Sequence, residues 1–418
     1  MKELRVIYEG RGERLWLGTL ADDGRDVLFE YSADALARGL ELSPIRTPMR
    51  AAAYPDRQQD YVNLQRVPGL VYDSLPDSWG FLLMNRRLRA KGINPDGAST
   101  LDRLAYLGSN TMGALTYEPG SERLESTHDM TLFELAHEVR AVISDTGRNV
   151  LTELARAGGS PGGARPKALV FYDAATGQMS TQAGQVPQAA PWLVKFPAAD
   201  DSSDSCALEE LYARMARKCE MGMEETQLFS LGGHGNAFGT RRFDRDRITG
   251  QRVHVHSLAG QLHANFQIPS VGYSDFLALT RRLTLDEREV KKALQRCVFN
   301  VLMNNRDDHA KNLAFILDPN DRWVLAPPYD LTYCPGYNLE HFMDVAGEGK
   351  FPGRKHVLAV AERGGLKPKQ AEEVIDSILD TITATAFRHE AQSLPIHPST
   401  IATVGKIIDA NHVRLRAT

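Results

Sequence analysis

Apolar and polar positions alternate at the front of the chain. The stretches "RVIYEG" (5–10), "RLWLGTL" (14–20) and "DVLFEYS" (26–32) read as short strands, separated by turns that include Asp22-Asp23-Gly24. The period then lengthens. In "SLPDSWGFLLMNRRLRAKG" (74–92), Pro76 and Asp77 mark a helix start, and Phe81, Leu82, Met84 and Leu88 continue it. A second helix is expected over 131–145, "TLFELAHEVRAVISD". The middle returns to strand formers: "PKALVFYD" (166–173) and "PWLVKFP" (191–197), joined by a polar, glycine-containing segment, then "AFGTRRFDRD" (237–246). Between them, "SCALEELYARMARKCEMG" (205–222) sets Leu208, Leu211, Tyr212, Met215 and Cys219 on one helical stripe. From about residue 258 the pattern is helical apart from one hairpin, with "AEEVIDSILDTITATAF" (371–387) and "STIATVGKIIDA" (399–410) as late helices. Strands early and helices late predict an α+β fold. The expected divisions are a β-containing part over 1–125, a β-rich part over 126–246 and an α-helical part over 247–418.

One stretch breaks the pattern: "NVLMNNRDDHAKNLAFIL" (300–317). Upstream, Thr284 and Glu287 read as a T-x-x-E capping box, and Val290, Ala293, Leu294, Cys297, Val298, Val301 and Leu302 follow at helical spacing. A helix buried on one side to about residue 303 therefore delivers 304–312 as a loop. Beyond it, "NLAFIL" and "WVLAP" flank the turn "DPND" (318–321), a hairpin signature, and "PPYDLT" with Asp330 comes next. Phosphoryl transfer needs these parts. One carboxylate accepts the proton of the attacking hydroxyl, while an Asn and a second carboxylate hold Mg²⁺ against the phosphates. Asp307 followed five residues later by Asn312 is the spacing of the protein-kinase catalytic loop. Alone that spacing is weak; the helix before it, the hairpin and the Asp after it give it weight. The plainer reading is that Asp307, Asp308 and Asn312 cap helix ends and stabilise a turn. Asp308 itself is expected to orient neighbours or meet solvent.

The upstream half of a nucleotide site is also visible. In "GGSPGGARPKALVFYD" (158–173), Gly158, Gly159, Gly162 and Gly163 permit close backbone approach to oxyanions, although no G-K-[ST] follows as in a Walker A loop. Lys195 stands among apolar residues in "WLVKFP", where a phosphate contact competes with an edge-strand solubility role. Glu209 or Glu210 on the next helix is a possible partner. "LGGHGNAFG" (231–239) reads as a hairpin turn, followed by a strand suited to a hinge beside adenine. His254, His256 and His263 lack a matching fourth ligand, so core or surface histidines are expected rather than zinc.

Composition narrows the field. Of 418 residues, 42% are hydrophobic and 24% charged, ordinary for a globular chain of two or three domains. The balance of 49 basic against 53 acidic residues gives −4, so no overall field favours nucleic acid, and "RRLRAK" (86–91) reads as a solvated helix face. Cys206, Cys219, Cys297 and Cys334 form no C-x-x-C pair, which suits a reducing cytosol. No membrane span or apolar leader is expected, and a cytoplasmic location follows.

The set "SPGGARPKA", "WLVKFP", "RRFDRD", "NNRDDHAKN" and "PPYDLT", with N-terminal "GTL…LFEYS" and "LPDSWG", resembles the HipA family of bacterial serine/threonine-kinase toxins, in order and over nearly the whole chain. The resemblance implies a protein-kinase-like bilobal fold with an extra N-terminal β-containing subdomain and an all-α C-terminal lobe. It implies ATP and Mg²⁺, with Asp307 catalytic, Asn312 and Asp330 as metal ligands and Lys195 as the ATP-contacting lysine. Gly162, Gly163, Ala164, Arg165, Pro166 and Lys167 match the phosphate loop, and Arg241, Arg242 and Phe243 the hinge. His309 and Lys311 complete the nucleotide-binding set. Ser160 matches the serine that these kinases autophosphorylate, which ejects the loop and silences the enzyme. The chain departs from many members in having Asp308 where they have Gly, and Pro161 directly after Ser160. The implied partner is a small HipB-like helix-turn-helix antitoxin that binds operator DNA as a dimer. This chain shows no helix-turn-helix or basic arm, so DNA contact would come only through that partner. Family targets are proteins such as aminoacyl-tRNA synthetases. A small-molecule kinase, or a pseudokinase scaffold serving a DNA-binding antitoxin, remain the alternatives.

Overall fold

The three early apolar stretches become β1 (Lys2–Tyr8), β2 (Leu15–Asp22) and β3 (Val27–Tyr31) in a computed structural model that describes residues 2–24, 26–55, 61–76, 78–120, 129–144, 165–198 and 201–417. With β4 (Leu115–Glu118) they form an antiparallel sheet in the order β3-β2-β1-β4. The alternation in β3, where Val27, Phe29 and Tyr31 are buried and Leu28 and Glu30 exposed, is the period-two signal read from the sequence. The chain divides into two units, Met1–Asp200 with Phe229–His263, and Asp201–Leu228 with Ala264–Thr418.

The first unit adds α1 (Ala33–Arg38), α2 (Gly69–Tyr72), α3 (Ser78–Ala90), α4 (Thr100–Leu107) and α5 (Leu132–Ile143). Thr131 and Glu134 form a reciprocal capping box at the start of α5. A second sheet has the order β6-β5-β7-β9-β8, from β5 (Lys167–Tyr172), β6 (Met179–Ser180), β7 (Ala190–Lys195), β8 (Thr226–Ser230) and β9 (Asn236–Arg241). The chain passes from the second unit into the first within β8. Trp79 and Leu83 of α3 and Leu135 and Val139 of α5 pack on Ala168, Val170, Trp192 and Val194 of the sheet. The Trp79 indole N–H donates to the Lys167 carbonyl at 3.0 Å, so this core ring also satisfies its polar edge. The strand expected over 237–246 is shorter, ending at Arg241. β10 (Val255–Ser257) follows.

The second unit is mainly helical: α6 (Ser205–Lys218), α7 (Tyr273–Thr284), α8 (Glu287–Met303), α9 (Arg354–Arg363), α10 (Pro368–Thr381), α11 (Ala384–Ala391) and α12 (Pro398–Arg416). The stripe Leu208, Leu211, Tyr212, Met215 and Cys219 is buried as expected. α8 packs against α7, α10 and α12. The expected Thr284–Glu287 capping box is not what starts α8. Thr284 closes α7, its hydroxyl bonded to the Thr280 carbonyl, and Asp286 caps α8 by accepting from the Arg288 N–H. The single helix expected over 371–387 is two, because Ile382 leaves the helical path and Thr383 caps α11 through the Ala386 N–H. The hairpin forms as read: β11 (Ala314–Leu317) pairs antiparallel with β12 (Trp323–Leu325), Ile316 opposite Val324. Among the described residues no helix is long and apolar enough to cross a membrane.

His254, His256 and His263 bond backbone and side-chain groups within the first unit. His254 Nε2 lies 3.2 Å from the Leu42 carbonyl, His256 bonds Asp73 at 2.6 Å and Ser43 at 3.0 Å, and His263 Nε2 accepts from the Gly69 N–H at 3.1 Å. Burial pushes both His254 and His263 down to about 3. The unfolded chain, whose histidines titrate near about 6.5, therefore binds protons that the fold refuses. The stability they contribute is complete above that pH and is lost as pH falls toward 3, by at most about 1.4 kcal/mol per pH unit per histidine. Urea unfolding at pH 7, 6 and 5 should show a steady decline, shallower in His263→Gln; equal stability at pH 7 and pH 5 would contradict this.

Candidate active site

Helix α8 ends at Asn304, which adopts a left-handed φ of 54° and donates its N–H back to the helix. Asn tolerates that conformation better than most side chains, so the stop is sharp and the next residues leave as a loop. Asp307 is exposed at that loop, its side chain 58% accessible, between the buried residues Arg306 and Asp308. Asn312 is 8% exposed, and its Nδ2 donates to the Asp307 carbonyl at 2.8 Å, folding the loop back on itself. After the β11–β12 hairpin, the Tyr329 hydroxyl donates to the Lys311 carbonyl at 2.7 Å. That bond returns the chain to the loop one residue before Asp330, whose backbone is left-handed (φ 54°). A non-glycine residue in that region is held there by its surroundings and is common at functional sites. Asp307, Asn312 and Asp330 thus belong to one hydrogen-bonded cluster of loops.

Aromatic rings fix the remaining loop residues. The His309 ring lies between Phe266 and Phe342, with centroids 5.4 and 5.8 Å away, and its Nε2 is 4.0 Å from Asp307 Oδ1. Lys311 Nζ stands 5.1 Å from the Phe266 ring centroid, within cation–π range. Asp308 is 1% exposed and orients neighbours instead of meeting solvent. Sequence reading missed Tyr329, Arg306, Tyr273 and His341 as supports of this loop. Arg306 and Tyr329 each adjoin a chosen aspartate, which was a usable signal; His341 stands far along the chain and offers none.

The other expected site residues lie in the first unit. Lys195 ends β7, which has β5 on one side and β9 on the other, so the edge-strand reading fails. It is 6% exposed, opposite both Lys167 and Phe238, with Nζ 5.8 Å from the Phe238 ring centroid. Pro166 accepts from the Phe196 N–H at 2.9 Å, and Arg165 precedes it. Ser160, Gly162, Gly163 and Ala164 lie outside the described residues. At the end of β9, the Arg241 guanidinium reaches the Arg247 carbonyl at 3.2 Å. Arg242 is committed to Asp244 through two bonds of 2.8 and 2.7 Å, with Phe243 between them. Asp244 also receives Arg245 at 2.6 Å and the Gly113 N–H at 2.9 Å. Burial alone would raise its carboxyl, but Arg242 and Arg245 hold it well below the usual carboxylate range. Arg242, Arg245 and Arg252 line a cavity of about 360 Å³ whose apolar wall includes Leu169, Phe171 and Pro191. In the second unit, Glu210 is engaged by Arg214 at 2.7 Å and Arg217 at 3.5 Å, both on its own helix.

The donor set of the loop cluster suits a hard divalent cation. Asn312 donates through Nδ2, which leaves its amide oxygen as the acceptor, and Asp330 offers a carboxylate; Mg²⁺ prefers such oxygens. Among the described residues, no group of three or more His, Cys, Asp or Glu converges as a metal site.

An α+β fold with this loop arrangement is kinase-like. The chain belongs to the HipA family: the HipA-like C-terminal domain matches residues 159–386 and the HipA N-terminal domain residues 12–118. It is similar in structure to HipA of Shewanella oneidensis MR-1, solved as a toxin–antitoxin complex with HipB and its operator DNA, with a TM-score of 0.72 at 20% identity, covering 99% of this chain and 97% of that one. The Helicobacter pylori proinflammatory kinase CtkA matches with a TM-score of 0.43 at 14% identity, over 61% of this chain and 90% of its own. A curated relative, "Putative kinase Y4dM" of Sinorhizobium fredii, is 29% identical over 155 residues, which are 34% of this chain and 36% of that protein. The match thus spans about a third of that relative's length.

Removing the Asp244 carboxylate would leave Arg242 and Arg245 without the acceptor they share. Asp244→Ala should cost roughly 3–5 kcal/mol, as breaking a buried ion pair does. Chemical denaturation would read this, and a loss below about 1 kcal/mol would show that the arginines find other partners.

Proposed function

We propose that this protein is an ATP- and Mg²⁺-dependent protein serine/threonine kinase and the toxin of a toxin–antitoxin pair. The observation that carries the reading is the pair of bonds from Asn312 Nδ2 to the Asp307 carbonyl and from the Tyr329 hydroxyl to the Lys311 carbonyl. They gather a D-x-x-x-x-N loop and a following Asp into one cluster, which a simple turn between α8 and β11 does not require.

Asp307, exposed and next to the loop's fixed backbone, accepts the proton of the acceptor hydroxyl as its oxygen attacks the γ-phosphorus and the bond to ADP breaks. Asn312 and Asp330 would hold Mg²⁺, which supplies charge neutralisation for the phosphates when bound. His309 and Lys311 add positive or polar character beside the same loop. Lys195, with the glycine loop Gly162–Lys167, contributes phosphate contacts, and Arg241–Phe243 the hinge. Autophosphorylation at Ser160 is the proposed off-switch. The proposed partner is a HipB-like helix-turn-helix antitoxin in the cytoplasm, in keeping with the complex in which the Shewanella protein was solved. A translation-related protein such as an aminoacyl-tRNA synthetase is the proposed class of substrate.

Asp307→Ala should lower γ-phosphate transfer by about 10²–10⁴ while leaving the thermal transition in place. Asn312→Ala and Asp330→Ala should abolish Mg²⁺-dependent transfer. Undiminished transfer in Asp307→Ala would remove the assignment. Mass spectrometry after incubation with MgATP should find phosphate on Ser160; its persistent absence, with ATP still consumed, would favour a small-molecule kinase. Calorimetry with no detectable MgATP binding would favour a scaffold.

A further inference from the structure

Asp308 has no part in the transfer chemistry, yet its carboxylate is the most fully used in the loop. Oδ2 accepts from the Tyr273 hydroxyl at 2.7 Å and from His341 Nδ1 at 2.8 Å, and Oδ1 accepts from the Phe342 N–H at 2.9 Å and the Met343 N–H at 3.4 Å. Tyr273 belongs to α7; its hydroxyl receives the Asn300 side chain of α8 at 2.8 Å, and Asn305 Nδ2 donates to Asn300 Oδ1 at 3.0 Å. On the other side of Asp307, Arg306 reaches the same downstream segment. Its guanidinium donates to the Pro335 carbonyl at 3.1 Å and the Lys350 carbonyl at 2.8 Å, and its own carbonyl accepts from the Phe342 N–H at 3.2 Å. The reactive residue is therefore exposed between two buried neighbours, each tied to the segment 335–350.

We propose that Asp308 is a positioning residue: with Tyr273 and His341 it pins the segment after Asp330 onto the catalytic loop and so fixes the backbone that aims Asp307. This rests on the kinase reading above. A carboxylate can only accept, so the His341 proton sits on Nδ1 and all four donors converge on one group. The segment is held by the loop's own residues. A displacement of about 1 Å can cost on the order of 10² in rate, so a slackened clasp should appear in kcat before it appears in substrate affinity.

The test uses the full chain with Asp308→Asn and, because a buried change can unfold a protein, Tyr273→Phe, which removes a single hydroxyl. Steady-state transfer with MgATP and hydrogen exchange at the Phe342 and Met343 amides are measured on both. The expected result is a fall in kcat of about tenfold or more with KM for ATP within about twofold, and faster exchange at both amides in Asp308→Asn. A purely structural loss would lower stability without that split. Wild-type kcat in both variants, or unchanged exchange in Asp308→Asn, would overturn the proposal. Inactive wild-type protein would refute the kinase reading alone, because hydrogen exchange reports the clasp without ATP.

Discussion

The Asp307 carboxylate is exposed, and it can serve as the proposed base only where its backbone is held; its neighbours do the holding. Asn312 fastens the loop from within by its bond to the Asp307 carbonyl. Tyr329 fastens it to the strand end that carries Asp330. Asp308 supplies the deepest fastening, a carboxylate 1% exposed with four donors around it. An unpaired charge at that depth would be costly, so donors and acceptor must stay together. The helix behind them makes this possible: α8 buries Val290, Leu294, Cys297, Val298 and Val301, and its end at Asn304 therefore cannot drift.

Much of this was legible in the sequence where the signal was local. The α8 stripe and the Asp-Pro-Asn-Asp turn are patterns within a few residues, and each became the expected element; the five-residue interval from Asp307 to Asn312 became a loop closed by the Asn312 bond to the Asp307 carbonyl. Local signals also misled. Thr284 and Glu287 satisfy a capping box on paper, yet two helices meet there and Asp286 takes the cap. The helix pattern over 371–387 runs through Thr383, whose side chain starts a new helix more readily than it continues an old one. β8 escaped notice because Thr226–Ser230 is only partly buried and shows no alternation. The clasp on Asp308 was invisible for a different reason: His341 and Tyr273 lie more than thirty residues away on either side, and only the fold brings them together.

Two buried carboxylates of this protein work differently. In the first unit, Asp244 is neutralised by Arg242 and Arg245, an ion cluster that keeps the segment after β9 against the Gly113 backbone. In the second, Asp308 is met by a histidine, a phenol and two amides, which gives direction more than charge balance. Lys195 and Lys167, opposed on neighbouring strands and both buried, are a third case.

We propose that Asn312 and Asp330 hold the metal of a nucleotide site whose base is Asp307. The most direct measurement is a crystal structure of the protein with Mg²⁺ and a non-hydrolysable ATP analogue. The expected density places a cation on the Asn312 amide oxygen and the Asp330 carboxylate, with the terminal phosphate facing Asp307. Nucleotide bound elsewhere, or a cation that touches neither residue, would contradict the claim.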